Sequence, residues 1–83
     1  MEPGESFILT IDQGTTSSRV LMVDKDLRVR DIESREHRQI SLHPGWCEHD
    51  PNEIYRNVLE CLQVICERNK LDSTRVKALG ITN

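Results

Sequence analysis

Phe7-Ile8-Leu9-Thr10-Ile11 is apolar or β-branched at every position, and the run stops at Asp12 and Gly14. A strand with such side chains on both faces belongs in the middle of a sheet, because an edge or a solvated face would expose half of them. That requirement constrains the rest of the chain. Gln13-Gly14-Thr15-Thr16 reads as a tight turn, with Gly14 supplying backbone freedom. Ser18 to Asp24 reads as a second strand and Lys25-Asp26 as a second turn. Leu27 to Ile40 is polar apart from a few residues such as Val29 and Ile32 and reads as a third strand near the sheet edge, solvated on one face.

Pro44-Gly45 marks a loop from Ser41 to His49. A helix then begins with three agreeing signals: Asp50 as N-cap, Pro51 at the first helical position and Glu53 at the third. Ile54, Val58, Cys61, Leu62 and Ile65 follow at helical spacing and make one apolar stripe. The helix is expected to end near Asn69 or Lys70, and Val76 to Thr82 reads as a fourth strand. The order is β-β-β-α-β. A right-handed crossover sets the last strand parallel to the first, giving sheet order 3-2-1-4 with the apolar strand inside. This is an α/β sheet with one helix for two faces and an apolar strand at its edge, and it reads as an incomplete domain. Residues 1–6, acidic and rich in structure breakers, are expected to be a disordered N-terminus, and residues 7–83 to form the domain.

Composition narrows the function classes. With 83 residues, 36% hydrophobic and 30% charged, the chain suits a soluble domain with a thin core. No apolar run approaches the roughly 20 residues that span a bilayer, so no membrane partner is expected. A net charge of −3 argues against nucleic acid as a partner. The N-terminus lacks the features of a signal or transit peptide, which points to the cytoplasm. Cys47, Cys61 and Cys66 show neither disulfide nor zinc spacing.

One segment is dense in chemistry. In Asp12-Gln13-Gly14-Thr15-Thr16-Ser17-Ser18-Arg19 a buried strand ends in a carboxylate, followed by a glycine, four hydroxyls and a guanidinium. These groups can recognise phosphate. Gly14 permits close approach, turn N–H groups and the hydroxyls of Thr15, Thr16 and Ser17 donate, and Arg19 can pair bidentately. Asp12 can hold Mg²⁺ directly or through water. Yet Gly, Thr and Ser are also ordinary turn residues, and the segment is neither a Walker A sequence nor a GxGxxG fingerprint. The residues alone leave a phosphate site and a plain hairpin turn both open.

The stretch Ile11 to Arg19 resembles the first phosphate motif of glycerol kinases, within the carbohydrate kinases of actin-like ATPase (ribonuclease H-like) fold. Pro44-Gly45-Trp46-Cys47-Glu48-His49-Asp50-Pro51 resembles that family's Gly-Trp-x-Glu-His-Asp-Pro segment. Gly80-Ile81-Thr82-Asn83 resembles the strand that runs on into Asn-Gln-Arg-Glu. The resemblance implies that Gly14, Thr15, Thr16 and Ser17 meet ATP phosphates and that Thr15 also meets the substrate. Arg19 would contact the nucleotide or support the loop, and Asp12 would act through Mg²⁺. It further implies phosphoryl transfer from Mg·ATP to glycerol, giving sn-glycerol 3-phosphate, by a full-length homo-oligomer. The family's polyol-binding Arg-Glu pair would come just after Asn83, and its other polyol contacts and general base do not lie in these residues. The chain alone is therefore expected to be inactive. The alternatives are a related sugar kinase, such as a xylulokinase or gluconokinase, or a truncated non-catalytic product.

The remaining residues read as structural. Trp46 anchors the loop, and Glu48 and His49 organise the loop and helix start. His37 and His43 lie on the surface, Tyr55 packs on the helix flank, and Cys61 and Cys66 belong to the helix packing rather than to catalysis.

Overall fold

The computed structural model describes residues 5–38 and 49–82. The expectations on His43, Trp46, Cys47 and Glu48 lie outside these residues. Strands β1 (Phe7–Gln13), β2 (Ser17–Val23) and β3 (Val29–Glu36) are followed by helix α1 (Pro51–Arg68) and strand β4 (Val76–Thr82). The sheet order is β3-β2-β1-β4, with β1 antiparallel to β2 and parallel to β4. This is the α/β topology expected from the sequence. Residues 1–4 lie outside the described residues. Glu5 is held, its carboxylate accepting from Arg30 and its carbonyl from Arg75.

Alternation sorts the strand residues by face. Phe7, Leu9 and Ile11 of β1 and Val20 and Met22 of β2 are buried with Cys61 and Ile65 of α1, and Val58, Leu62, Cys66, Leu71 and Val76 pack around them. The helix lies over β2 and β3. On the opposite face Ile8 pairs with Val23, Thr10 with Leu21, and Leu21 with Ile32. Ile8, at 37% exposed, and Ile32, at 48%, open to solvent there. Leu79 and Ile81 of β4 share the helix side with Leu9 and Ile11 but lie beyond the helix, 54% and 71% exposed.

Both ends of α1 follow from its sequence. The Asp50 carboxylate accepts the Asn52 N–H, and Pro51 opens the helix. At the other end Leu71 N donates to Cys66 O and Lys70 N to Glu67 O, with Lys70 at φ 53°. This is a Schellman closure with a lysine where glycine is the usual occupant. Tyr55 departs from expectation: it projects into solvent, 65% exposed, because it lies off the apolar stripe.

The third strand also differs in its polarity. Asp31, Glu33 and Arg35 lie on the helix side, opposite Met22, Val20 and Ser18, while Ile32 faces away. The charged row is satisfied by α1. Arg68 clasps Asp31 through Nε at 2.8 Å and Nη2 at 2.9 Å, and reaches Glu33 at 3.3 Å. Arg35 bonds Glu33 at 2.6 Å.

Candidate functional site

The β1–β2 hairpin carries the site. Its turn closes through Gly14 N donating to Ser17 O at 2.8 Å. Gly14 does not occupy the left-handed region, and a Cβ built on it would meet Ser17 O at 3.5 Å, an ordinary contact. The turn geometry itself therefore does not require glycine. What Gly14 does is leave the surface beside Thr15 free of a side chain. Gly14, Thr15 and Thr16 are exposed at the tip and Ser17 is half-buried, so the groups suited to phosphate are presented outward.

Asp12 and Arg19 are cross-strand partners at the base of this turn, on the face opposite α1. Arg19 Nη2 donates to Asp12 Oδ2 at 2.6 Å, and Thr82 Oγ1 lies 3.4 Å from Oδ1. Both side chains are partly open to solvent. The two charged members of the constellation are thus brought together, while Thr15 and Thr16 stand at the tip. Among the described residues no three His, Cys, Asp or Glu side chains converge as a metal cage. Asp12 instead suits Mg²⁺, which commonly takes one or two carboxylates and keeps its remaining places for water and nucleotide phosphates. Among the described residues its Oδ1 has only the long contact with Thr82.

Behind the turn lies a buried network that the sequence reading missed. His37, expected on the surface, is 6% exposed. Its backbone N–H donates to Thr16 O at 2.7 Å. Asn57 Nδ2 donates to Glu36 O and lies 3.1 Å from His37 Nδ1. An amide nitrogen is only a donor, so Nδ1 accepts and the proton sits on Nε2. Nε2 then donates to Ser18 Oγ at 2.8 Å. Ser18 is fully buried, unlike Thr15, Thr16 and Ser17. The network ties the turn to β3 and α1. The burial of His37 was hidden because it follows a charged strand, and only the position of Asn57 on the helix reveals its partner.

On the helix side of the turn, Gln13, Gly14, Thr15, His49 and Ile54 line a cavity of about 370 Å³. The His49 ring stands edge-on to His37, centroids 6.2 Å apart. Its Nε2 is buried and has no hydrogen-bond partner among the described residues. Leaving such a group unpaired costs about 1–3 kcal/mol. Elsewhere, burial pushes the thiols of Cys61 and Cys66 up from their ordinary value, which suits packing and not nucleophilic attack.

The chain is similar in sequence and fold to known proteins. Residues 7–83 match the FGGY family of carbohydrate kinases, N-terminal domain. A glycerol kinase of Staphylococcus epidermidis is 42% identical over 79 residues, covering 95% of this chain and 16% of that protein. A crystal structure of Plasmodium falciparum glycerol kinase with ADP superposes with a TM-score of 0.82 and 37% identity, over 95% of this chain and 16% of that one. Gluconate kinase from Lactobacillus acidophilus superposes as well, TM-score 0.83, but at 23% identity, covering 94% of this chain and 15% of that one, and so shares the fold alone. The chain spans about one sixth of the length of the relatives it matches. No helix among the described residues is long and apolar enough to cross a membrane. The sheet order, the hairpin with its outward glycine and hydroxyls, and a match over residues 7–83 lead to one assignment: the chain belongs to the FGGY family of carbohydrate kinases, within its N-terminal domain.

Proposed function

We propose that this chain forms the phosphate-binding part of a cytoplasmic glycerol kinase, which transfers the γ-phosphoryl group of Mg·ATP to glycerol and gives sn-glycerol 3-phosphate. The observation that carries the reading is the outward-facing Gly14-Thr15-Thr16 tip, set directly above the Asp12–Arg19 pair. Its support for glycerol over other polyols is the 42% and 37% identity to glycerol kinases, against 23% to a gluconate kinase.

In this reading Thr15, Thr16 and Ser17 and the free turn amides donate to nucleotide phosphate oxygens, with Thr15 also reaching the acceptor side. Asp12 holds the magnesium, directly or through water. Arg19 orients Asp12 through their ion pair and adds positive charge beside the phosphates. Mg·ATP brings the transferable group and charge neutralisation. Phosphoryl transfer depends mainly on such positioning and electrostatics. The polyol is held by residues beyond this chain, in a full-length homo-oligomer, and the 83 residues alone do not turn over. Residues 7–83 then act as part of a larger nucleotide-binding domain, with residues 1–6 outside it.

The test is substrate discrimination by the longest product of the gene, assayed with Mg·ATP against glycerol, xylulose and gluconate. Preferred turnover of glycerol supports the reading, and preferred turnover of either sugar derivative replaces it with the related sugar kinase.

A further inference from the structure

We propose that His49 is a direct contact of the bound phosphoryl group, its Nε2–H donating to a phosphate oxygen held at the Gly14–Thr15 turn. The inference rests on the phosphate reading of that turn and adds to it a residue from the far side of the crossover. Three observations converge. Nε2 is buried yet has no partner among the described residues. It belongs to a residue that shares a cavity of about 370 Å³ with Gln13, Gly14 and Thr15, room enough for a phosphoryl group. The ring is also held in place, edge-on to His37, which Ser18 and Asn57 fix from behind.

The neighbouring acceptors are already engaged. Asp50 accepts the Asn52 N–H at the helix start, and Glu53 accepts the Arg38 N–H and pairs with its guanidinium. A phosphate oxygen entering between Thr15 and His49 would meet a hydroxyl donor on one side and an imidazole donor on the other. The absent side chain of Gly14 leaves the approach open. Hydrogen bonds to a charged acceptor are the strong ones, so this contact should show in affinity.

The experiment is calorimetric titration of Mg·ATP into the longest product of the gene, as wild type, His49→Phe, His49→Gln and Thr15→Ala. Phenylalanine keeps the ring packing and removes the donor, whereas the glutamine amide restores one at a similar reach. His49→Phe should weaken binding roughly tenfold or more, and His49→Gln should return to within about threefold of wild type. Circular dichroism checks both folds, and His49→Leu serves the same end if the phenylalanine variant misfolds. If His49→Phe binds like wild type while Thr15→Ala is weakened, His49 is no contact and the phosphate turn stands. A glutamine variant as weak as phenylalanine makes the role one of packing and overturns the proposal. Should Thr15→Ala bind as well as wild type, or wild type not bind at all, the phosphate reading fails and takes this inference with it.

Discussion

Arg19 and Asp12 face each other across the β1–β2 ladder and are joined at 2.6 Å, at the base of the turn whose tip carries Gly14 and Thr15. The pair is partly solvated, and ion pairs of that kind contribute only about 0–1 kcal/mol to stability. Under the proposed function the pair serves to position Asp12 beside the turn, and its contribution to stability is small.

Asp12→Ala should therefore separate function from folding. In the longest product of the gene the proposed function predicts a fall in turnover of at least about a hundredfold, with unfolding stability within about 1 kcal/mol of wild type. Steady-state kinetics and urea unfolding on the same preparations decide this, and near-normal turnover would remove Asp12 from the mechanism.

The His37 network should behave in the opposite way. His37→Ala leaves the buried Ser18 hydroxyl and the Asn57 amide each short of a partner, so a loss of about 1–3 kcal/mol is expected. A double-mutant cycle with Ser18→Ala should show coupling, because the two residues share one hydrogen bond. Additive effects in denaturant unfolding would contradict the bond.

Lys70 holds a left-handed conformation at the end of α1. Lys70→Gly removes the steric penalty of a Cβ there, which is about 1–2 kcal/mol before the unfolded-state entropy of glycine is subtracted. A net stabilisation of up to about 1 kcal/mol is expected, and thermal unfolding would show it.

Acid should loosen the β3–α1 seam. Hydrogen bonding from Arg68 holds Asp31 below the ordinary carboxylate value, and Arg35 followed by Arg68 does the same for Glu33. Carboxylates depressed in the folded state stabilise it fully above their unfolded pKa and lose that contribution as pH falls through the folded values. Stability should be level above about pH 5 and decline below about pH 4. In Arg68→Gln the acid decline should be shallower, as read from urea midpoints across pH.

Leu79 and Ile81 are exposed on β4, whose outer edge pairs with no strand among the described residues, an arrangement that invites strand pairing between molecules. The 83-residue chain should self-associate with rising concentration, and Ile81→Lys should reduce this. Sedimentation velocity distinguishes the cases, and a wild-type chain that stays monomeric at high concentration would count against it.

Most of the fold was legible because several signals agreed locally. Asp50, Pro51 and Glu53 fix the helix start, and the fourth strand runs Val76–Thr82 as read. The sequence predicts a third strand over residues 27–40, and the strand spans Val29–Glu36. Its few apolar residues made its ends and its facing ambiguous, and the helix-side ion pairs that settle the facing come from Arg68, more than thirty residues away. In the site, the tight turn around Gly14-Thr15-Thr16 was legible from its residue types. The burial of His37 and the pairing of Arg19 with Asp12 were not. Both depend on which residues lie opposite one another across strands, and on where Asn57 falls on a helix packed over β2 and β3.

The most direct measurement is a coupled phosphorylation assay with Mg·ATP and glycerol, run side by side on the 83-residue chain and on the longest product its gene encodes. Turnover is expected from the longer protein and none from the 83 residues alone. Glycerol left untouched by both would contradict the assignment of substrate, and turnover by the 83 residues would contradict the division of the site.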